Sequence, residues 1–308
     1  MKLSVVMGVY NGGPTLRATF DSILGQTLTG FELIVVDDGS TDETTDVLAA
    51  VARADERVRV LTQTNAGLTR ALIAGCAAAR GAYIARHDAG DLSLPSRLER
   101  QAALLDTNPR LAFVSCGTEF IGPEEEPLYV ATGTGAAATP LAILDANAKW
   151  GVADGPSAHG AVMFRRDAYE RAGGYRREFY YGQDWDLWYR LAAEGLFQSI
   201  PDVLYRQRIT AGAISSVARD AQSRLAALSL AAMRARSRGE SDEAIVAEAA
   251  GVGRVRGEGR KALGLYFIGE ALRRRRDRRA RKYFRAAIAD SPLFVRAWVR
   301  LVQSFILR

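Results

Sequence analysis

Within its first 106 residues the chain repeats one pattern four times: a short apolar run, a polar turn, then apolar positions at helical spacing. The runs are Leu3–Val9, Phe31–Val36, Val58–Thr62 and Ala82–Ala85. The first helical stretch, Thr15 to Gln26, carries Leu16, Phe20, Ile23 and Leu24. The second has an acid-rich first turn, with Ser40 or Thr41 expected as its cap. The third runs from Leu68 to Arg80, and the fourth opens at Pro95 and continues from Arg97-Leu98 through Leu104-Leu105. Strands that alternate with helices pair in parallel and are covered on both sides. The pattern therefore predicts an α/β fold: a mostly parallel sheet with helices on both faces. With 308 residues, 48% hydrophobic and 25% charged, the chain has enough apolar side chains for a sizeable core.

Three of the runs end in polar chemistry: Tyr10-Asn11, Asp37-Asp38 and Asp88…Asp91. In a parallel sheet these ends share one edge, where such folds place ligands. A row of carboxylates there suits ribose or base edges, or a divalent cation. A dinucleotide fold would instead need G-x-G-x-x-G after the first strand, and Gly8 with Gly12-Gly13 has the wrong spacing. The two cysteines, Cys76 and Cys116, sit in apolar surroundings without a C-x-x-C pair, which predicts buried free thiols in a reducing compartment. No apolar run reaches 18 residues, so no membrane span is expected, and the apolar start reads as a strand rather than a signal peptide.

The charge is divided unevenly. Residues 219–308 hold 21 Lys and Arg against 9 Asp and Glu; the rest of the chain holds 20 against 26. This predicts two modules, 1–218 and a basic all-α region, 219–308. Within the latter, Arg219–Arg236, Asp242–Ala250, Glu258–Arg276, Arg278–Ala289 and Leu293–Leu307 read as helices. Ala280, Phe284, Ala287 and Pro292 stand at the spacing of the second half of a tetratricopeptide unit, while Gly264 and Ile268 break its first half, so a helical hairpin is expected. The run Arg273–Arg276 with Arg278, Arg279, Arg281 and Lys282, and an amphipathic last helix, suit an anionic membrane surface or a lipid diphosphate. No aromatic residues interleave with these arginines, which argues against nucleic acid. The expected location is cytoplasmic, peripheral on the inner face of the membrane.

Five motifs taken together, Val-Tyr-Asn-Gly at 9–12, Ile-Val-Val-Asp-Asp-Gly-Ser-Thr-Asp at 34–42, Asn65-Ala66-Gly67, Asp88-Ala89-Gly90-Asp91 with Pro95-Ser96-Arg97-Leu98, and Gln183-Asp184-Trp185, resemble family 2 inverting glycosyltransferases of the GT-A fold. His159–Arg166 and Gly173-Gly174-Tyr175 extend the likeness to roughly residues 1–216. The resemblance implies a nucleotide-sugar donor, a glycan or lipid-linked acceptor, and direct displacement at the anomeric carbon. It places Tyr10 and Asp38 at the nucleotide base, Asp88 by the ribose and diphosphate, and Val9, Asn11, Asn65, Arg70 and His159 around them. It makes Asp184 the general base that takes the acceptor hydroxyl's proton. A carboxylate does this better when burial raises its pKa.

Two positions depart from the family pattern. Gly90 stands where a metal-binding carboxylate is usual, and Thr210 where a late His is usual. Mg²⁺ or Mn²⁺ would then rest on Asp88 and Asp91 in a shifted site, or a cation among Arg86, His87, His159 and Arg208 would take its place. A catalytically silent sugar-nucleotide-binding protein is the alternative reading; retention of Asp88, Asp91 and Asp184 argues against it. Residues 117–150, with the acidic run Glu124–Glu126, are expected on the acceptor side, where Trp150 would stack on a sugar or pack in the core.

Overall fold

A computed structural model of the chain describes residues 2–133, 135–138, 155–212, 218–253 and 261–306. Trp150 lies outside them. Four parallel strands form one half of the sheet: β1 (Leu3–Val9), β2 (Phe31–Asp37), β3 (Val58–Thr62) and β4 (Tyr83–Asp88). Beyond β4 the sheet continues through β9 (Met163–Arg165), β6 (Leu111–Ile121), β10 (Leu196–Arg208) and β5 (Leu92–Ser93), in the order β3-β2-β1-β4-β9-β6-β10-β5. The pairs β4–β9, β9–β6 and β10–β5 are antiparallel, so the sheet is mixed. β7 (Pro127–Ala131) pairs with β6, and β8 (Ala137–Ala138) with β10.

The register sets the functional edge. Gly8 pairs with Asp88 and Val9 with Asp37, so the polar ends of β1, β2 and β4 lie side by side.

Strand alternation divides the core in two. On one face Val5, Met7, Leu33 and Val35 pack under α1 (Leu16–Leu24), α2 (Thr44–Ala54) and α4 (Arg97–Thr107), with Phe20, Leu48 and Leu105 buried. On the other, Val6, Ile34 and Val36 pack under α3 (Leu68–Ala78), α5 (Arg166–Arg171) and α6 (Gln183–Glu194). Burying side chains of this size stabilises the fold by about 1.5–3 kcal/mol each. Both cysteines are free and buried, and burial pushes the thiol of Cys76 up to about 12 and that of Cys116 to about 11.

The division expected at residue 218 is not the one the chain adopts. One compact unit comprises residues 1–118, 131–207 and 225–252; the other comprises 119–130, 208–224 and 253–308. The reason is packing. Most of α7 (Arg219–Ser237) and all of α8 (Glu243–Ala250) belong to the first unit, where Met233 and Leu230 join the core around Leu187 and Trp188.

In the second unit, α9 (Ala262–Arg274), α10 (Ala280–Asp290) and α11 (Val295–Ile306) pack around Tyr266, Phe284 and Phe294, with Tyr266 5.9 Å from Phe284 and 5.1 Å from Phe294. Ala280, Phe284 and Ala287 are buried there. Charges cancel more than a sequence tally suggests. Arg273 and Arg274 pair with Glu270, Arg279 with Asp277, and Lys282 with Glu124 of the acidic turn. Glu126 is fully buried and accepts the Tyr283 hydroxyl, and Arg208 grips Glu125 and the Pro123 carbonyl. No helix among the described residues is long and apolar enough to cross a membrane.

Candidate active site

The edge formed by β1, β2 and β4 is completed by three loops. Behind β1, Asn11 adopts φ +51°; its N–H donates to Ser40 Oγ at 3.0 Å and its Oδ1 accepts Thr41 N–H at 2.8 Å. Ser40 and Thr41 therefore bind Asn11 instead of capping α2. Asp42 Oδ1 accepts the Thr44 N–H. Val9 is buried, and Tyr10 stands out from the edge with 48% of its surface exposed.

Asp38 is buried and its carboxylate organises the second loop. It accepts Gln63 Nε2 at 2.6 Å, and the N–H groups of Ala66 and Gly67 at 2.8 Å each. Asn65 Nδ2 donates to the Asp38 carbonyl. Gly67 adopts φ +92°, and a Cβ there would lie 2.5 Å from the Tyr180 ring, so only glycine fits. Thr69 Oγ1 donates to the Phe179 carbonyl at 2.9 Å. Through these two contacts the loop held by Asp38 meets the segment that leads into α6. Arg70 is exposed in the first turn of α3.

At the end of β4, Arg86 is fully buried. It donates to the carbonyls of Val6 and His87, to His159 Nε2 at 3.3 Å, and to Asp88 Oδ1 at 2.5 Å. Burial alone would raise the Asp88 carboxyl; the guanidinium outweighs it and holds the group below the usual carboxylate range. Arg97, from the Pro-x-Arg-Leu motif, is also buried and donates to the carbonyls of Arg86 and Gly160, both at 2.7 Å, which ties β4 to the His159 turn.

His159 is pushed down to about 3 by burial and by Arg86, and His87 also to about 3 by burial and by Arg97; both are neutral. Because Arg86 Nε can only donate, His159 Nε2 accepts and the ring proton sits on Nδ1. The same Nε2 lies 2.7 Å from the Tyr175 hydroxyl.

Asp184 lies in the first turn of α6, after Gly182 in the left-handed region at φ +64°. Trp185 N–H donates to its Oδ1 at 3.0 Å. Burial pushes its carboxyl up to about 6; the negative charge of Asp88 adds to this, while nearby N–H groups and Arg86 oppose it. Asp184 and Asp88 thus lie near enough for their charges to interact.

The two carboxylates expected to hold a cation, Asp88 and Asp91, both meet protein groups. Asp91 is buried and its Oδ2 accepts the Tyr205 hydroxyl at 2.8 Å. The same hydroxyl accepts Asp88 N–H at 3.1 Å. Gly90 offers no side-chain ligand, and among the described residues no three His, Cys, Asp or Glu side chains cluster as a cation site. Asp88 and Asp91 are thus each engaged by the protein, through Arg86 and Tyr205. Of the four candidate substitutes, Arg86 directs its donors at Val6, His87, Asp88 and His159, both histidines are neutral, and Arg208 pairs with Glu125 of the acidic turn.

Sequence reasoning passed over Tyr205 and Tyr175. Each stands in a recognisable stretch, Tyr205-Arg206 and Gly173-Gly174-Tyr175, and each uses its hydroxyl on a residue of the site.

The fold has known counterparts. A family model described as "Glycosyl transferase family 2" matches residues 4–173. The protein of Bacillus subtilis (strain 168) named "Putative glycosyltransferase EpsE" is 33% identical over 223 residues, which span 67% of this chain and 73% of that one. "Amylovoran biosynthesis glycosyltransferase AmsE" of Erwinia amylovora is 30% identical over 210 residues, 67% of this chain and 75% of its own. The crystal structure of S. aureus TarS 1-349 in complex with UDP superposes with a TM-score of 0.60 at 16% identity, covering 99% of this chain and 89% of that one. The same TarS fragment in complex with UDP-GlcNAc gives a TM-score of 0.57 at 17% identity.

Proposed function

Because this chain belongs to glycosyl transferase family 2, we propose that it transfers a sugar from a nucleotide-sugar donor to a hydroxyl of a glycan or lipid-linked acceptor, with inversion and with Asp184 as general base. The acceptor O–H gives its proton to Asp184. Its oxygen forms the bond to the anomeric carbon as the bond from that carbon to the diphosphate breaks, and the electron pair leaves with the nucleoside diphosphate.

The observation that carries this reading is Asp184 in the first turn of α6, its carboxyl raised to about 6 by burial and by the charge of Asp88. A base poised there is ionised at neutral pH and stronger than an ordinary aspartate. A site that only bound the donor would gain nothing from a carboxylate of raised pKa within electrostatic reach of Asp88. The TarS complexes with UDP and UDP-GlcNAc, of the same fold, support the donor class. Tyr10 is exposed for stacking on a base, and Asp38 acts through the loop it holds. No step is assigned to a divalent cation.

The test is transfer from UDP-, GDP- and dTDP-sugars, with donor binding followed by thermal shift. The wild type turns over one of them, giving the opposite anomer by NMR, and Asp184→Asn binds that donor but does not transfer it. Transfer by Asp184→Asn at the wild-type rate refutes the base assignment.

We assign the second unit to an anionic membrane surface. Val295, Trp298, Val299, Val302 and Phe305 form one apolar stripe on α11, each between 47% and 69% exposed, and Leu293 before it is 91% exposed. Arg296 borders the stripe, Arg281 sits 4.1 Å over the Phe305 ring, and Arg275, Arg276 and Arg278 are exposed in the α9–α10 turn. Apolar side chains flanked by arginines match an anionic headgroup layer. The full chain is expected to co-sediment with phosphatidylglycerol vesicles, to be released by salt, and to ignore phosphatidylcholine vesicles. Equal binding to both, or self-association without vesicle binding, overturns this assignment.

A further inference from the structure

A chain of alternating charges runs from the base helix to Asp242, all of it beyond the residues 4–173 that the family model matches. Asp186, two positions after Asp184, is fully buried between Arg176 and Arg190. Arg190 Nη2 meets it at 2.6 Å, and Arg190 is held in turn by the Ala172 and Gly174 carbonyls. Arg176 spans outward to Asp242 at 2.8 Å, and Asp242 also binds Arg236. Asp242 lies 66 residues after Arg176, just before α8.

Asp186 already has a partner in Arg190 on its own helix, so neutralising it does not require Asp242. What Asp242 adds is a fixed place for Arg176. Arg176 begins the segment that carries Phe179 onto Thr69 and Tyr180 against Gly67, and that segment ends at the first turn of α6. Arg176 also lies 5.2 Å over the Phe179 ring.

We propose that Asp242 is a positioning residue for the transfer: with Arg236 it fixes Arg176, and through Arg176 the segment and helix turn that set Asp184 against the acceptor hydroxyl. This rests on the reading of Asp184 as the base. A misplacement of about 1 Å at a reacting group can lower a rate by a hundredfold.

The experiment uses the full chain. Asp242→Asn keeps size and polarity but removes the charge shared by the two arginines. Its kcat is expected to fall roughly 10- to 100-fold, with donor affinity and melting temperature close to wild type, and Asp242→Glu restores most of kcat. A merely structural role would lower the melting temperature and leave the kcat of the folded fraction unchanged. Should Asp242→Asn not fold, Arg236→Gln serves: a fall of about threefold in kcat at unchanged donor affinity supports the proposal, and wild-type kcat overturns it. If Asp184→Asn is inactive while Asp242→Asn keeps wild-type kcat, only the positioning proposal fails. If Asp184→Asn transfers sugar, the base assignment fails and takes this one with it.

Discussion

The raised carboxyl of Asp184 costs the fold stability, and the cost is measurable. Its folded pKa is about 6 against an ordinary 3.8. Every tenfold weakening of the acid is worth about 1.36 kcal/mol, so holding the group ionised above pH 6 costs up to about 3 kcal/mol. Asp184 is half-buried and water screens part of this, so about 1–3 kcal/mol is expected. The sign follows from proton binding. Between the two pKa values the folded chain holds more protons than the unfolded one, so stability falls as pH rises from about 4 to about 6 and is flat beyond. Asp184→Asn removes the charge and with it this loss. Denaturant titration of both proteins should show the variant more stable by about 1–3 kcal/mol at pH 8, with the gain vanishing near pH 3.5. The same variant should be inactive, because an amide cannot take the acceptor's proton. A gain of equal size at both pH values, or none at pH 8, would refute the reasoning. The wild-type kcat should fall about tenfold per pH unit below pH 6.

Three further expectations follow from the cleft. Gly67→Ala places a methyl in the Tyr180 ring at a positive φ, so it should destabilise the chain by about 2 kcal/mol or more and weaken donor binding by isothermal titration at least tenfold; wild-type affinity would contradict the part given to the Asp38 loop. Tyr205→Phe strips a partner from both Asp91 Oδ2 and Asp88 N–H and should cost about 1–3 kcal/mol in denaturant unfolding; a neutral effect would mean that neither group depends on it. Donor affinity should change less than twofold between EDTA and added Mn²⁺, since Tyr205 and Arg86 already occupy Asp91 and Asp88; an affinity recovered only with Mn²⁺ would overturn that account.

The strands are readable because each apolar run is short and bounded, and the parallel register then forces residues 10, 38 and 88 onto one edge. Asp184 is readable as a candidate only through the company its motif keeps. What the sequence hides is pairing. His87 and His159 look like cations available to a diphosphate, yet burial beside Arg86 and Arg97 leaves both neutral. Arg86 looks like another, and it is taken up by Asp88 and two carbonyls. The surplus of arginine after residue 219 suggests a separate module because a sum of charges cannot show that Asp242 faces Arg176, 66 residues earlier. Nor does an alanine-rich helix announce which of its faces is covered; Met233 and Leu230 show it in the fold.

The backbone passes between the two compact units five times, at 118, 130, 207, 224 and 252. Synthesis runs in one direction, so the early strap around Glu126 emerges long before its helical companion: the Tyr283 that closes over the carboxylate comes 157 positions later. At 5–20 residues per second that is roughly 8–30 s on the ribosome. Throughout that interval the growing chain holds a carboxylate destined for burial without the hydroxyl that it accepts in the fold. The smaller unit cannot mature until Tyr283 has been made, so a nonsense codon shortly before it would deprive the strap of its partner long after the strap itself had been translated.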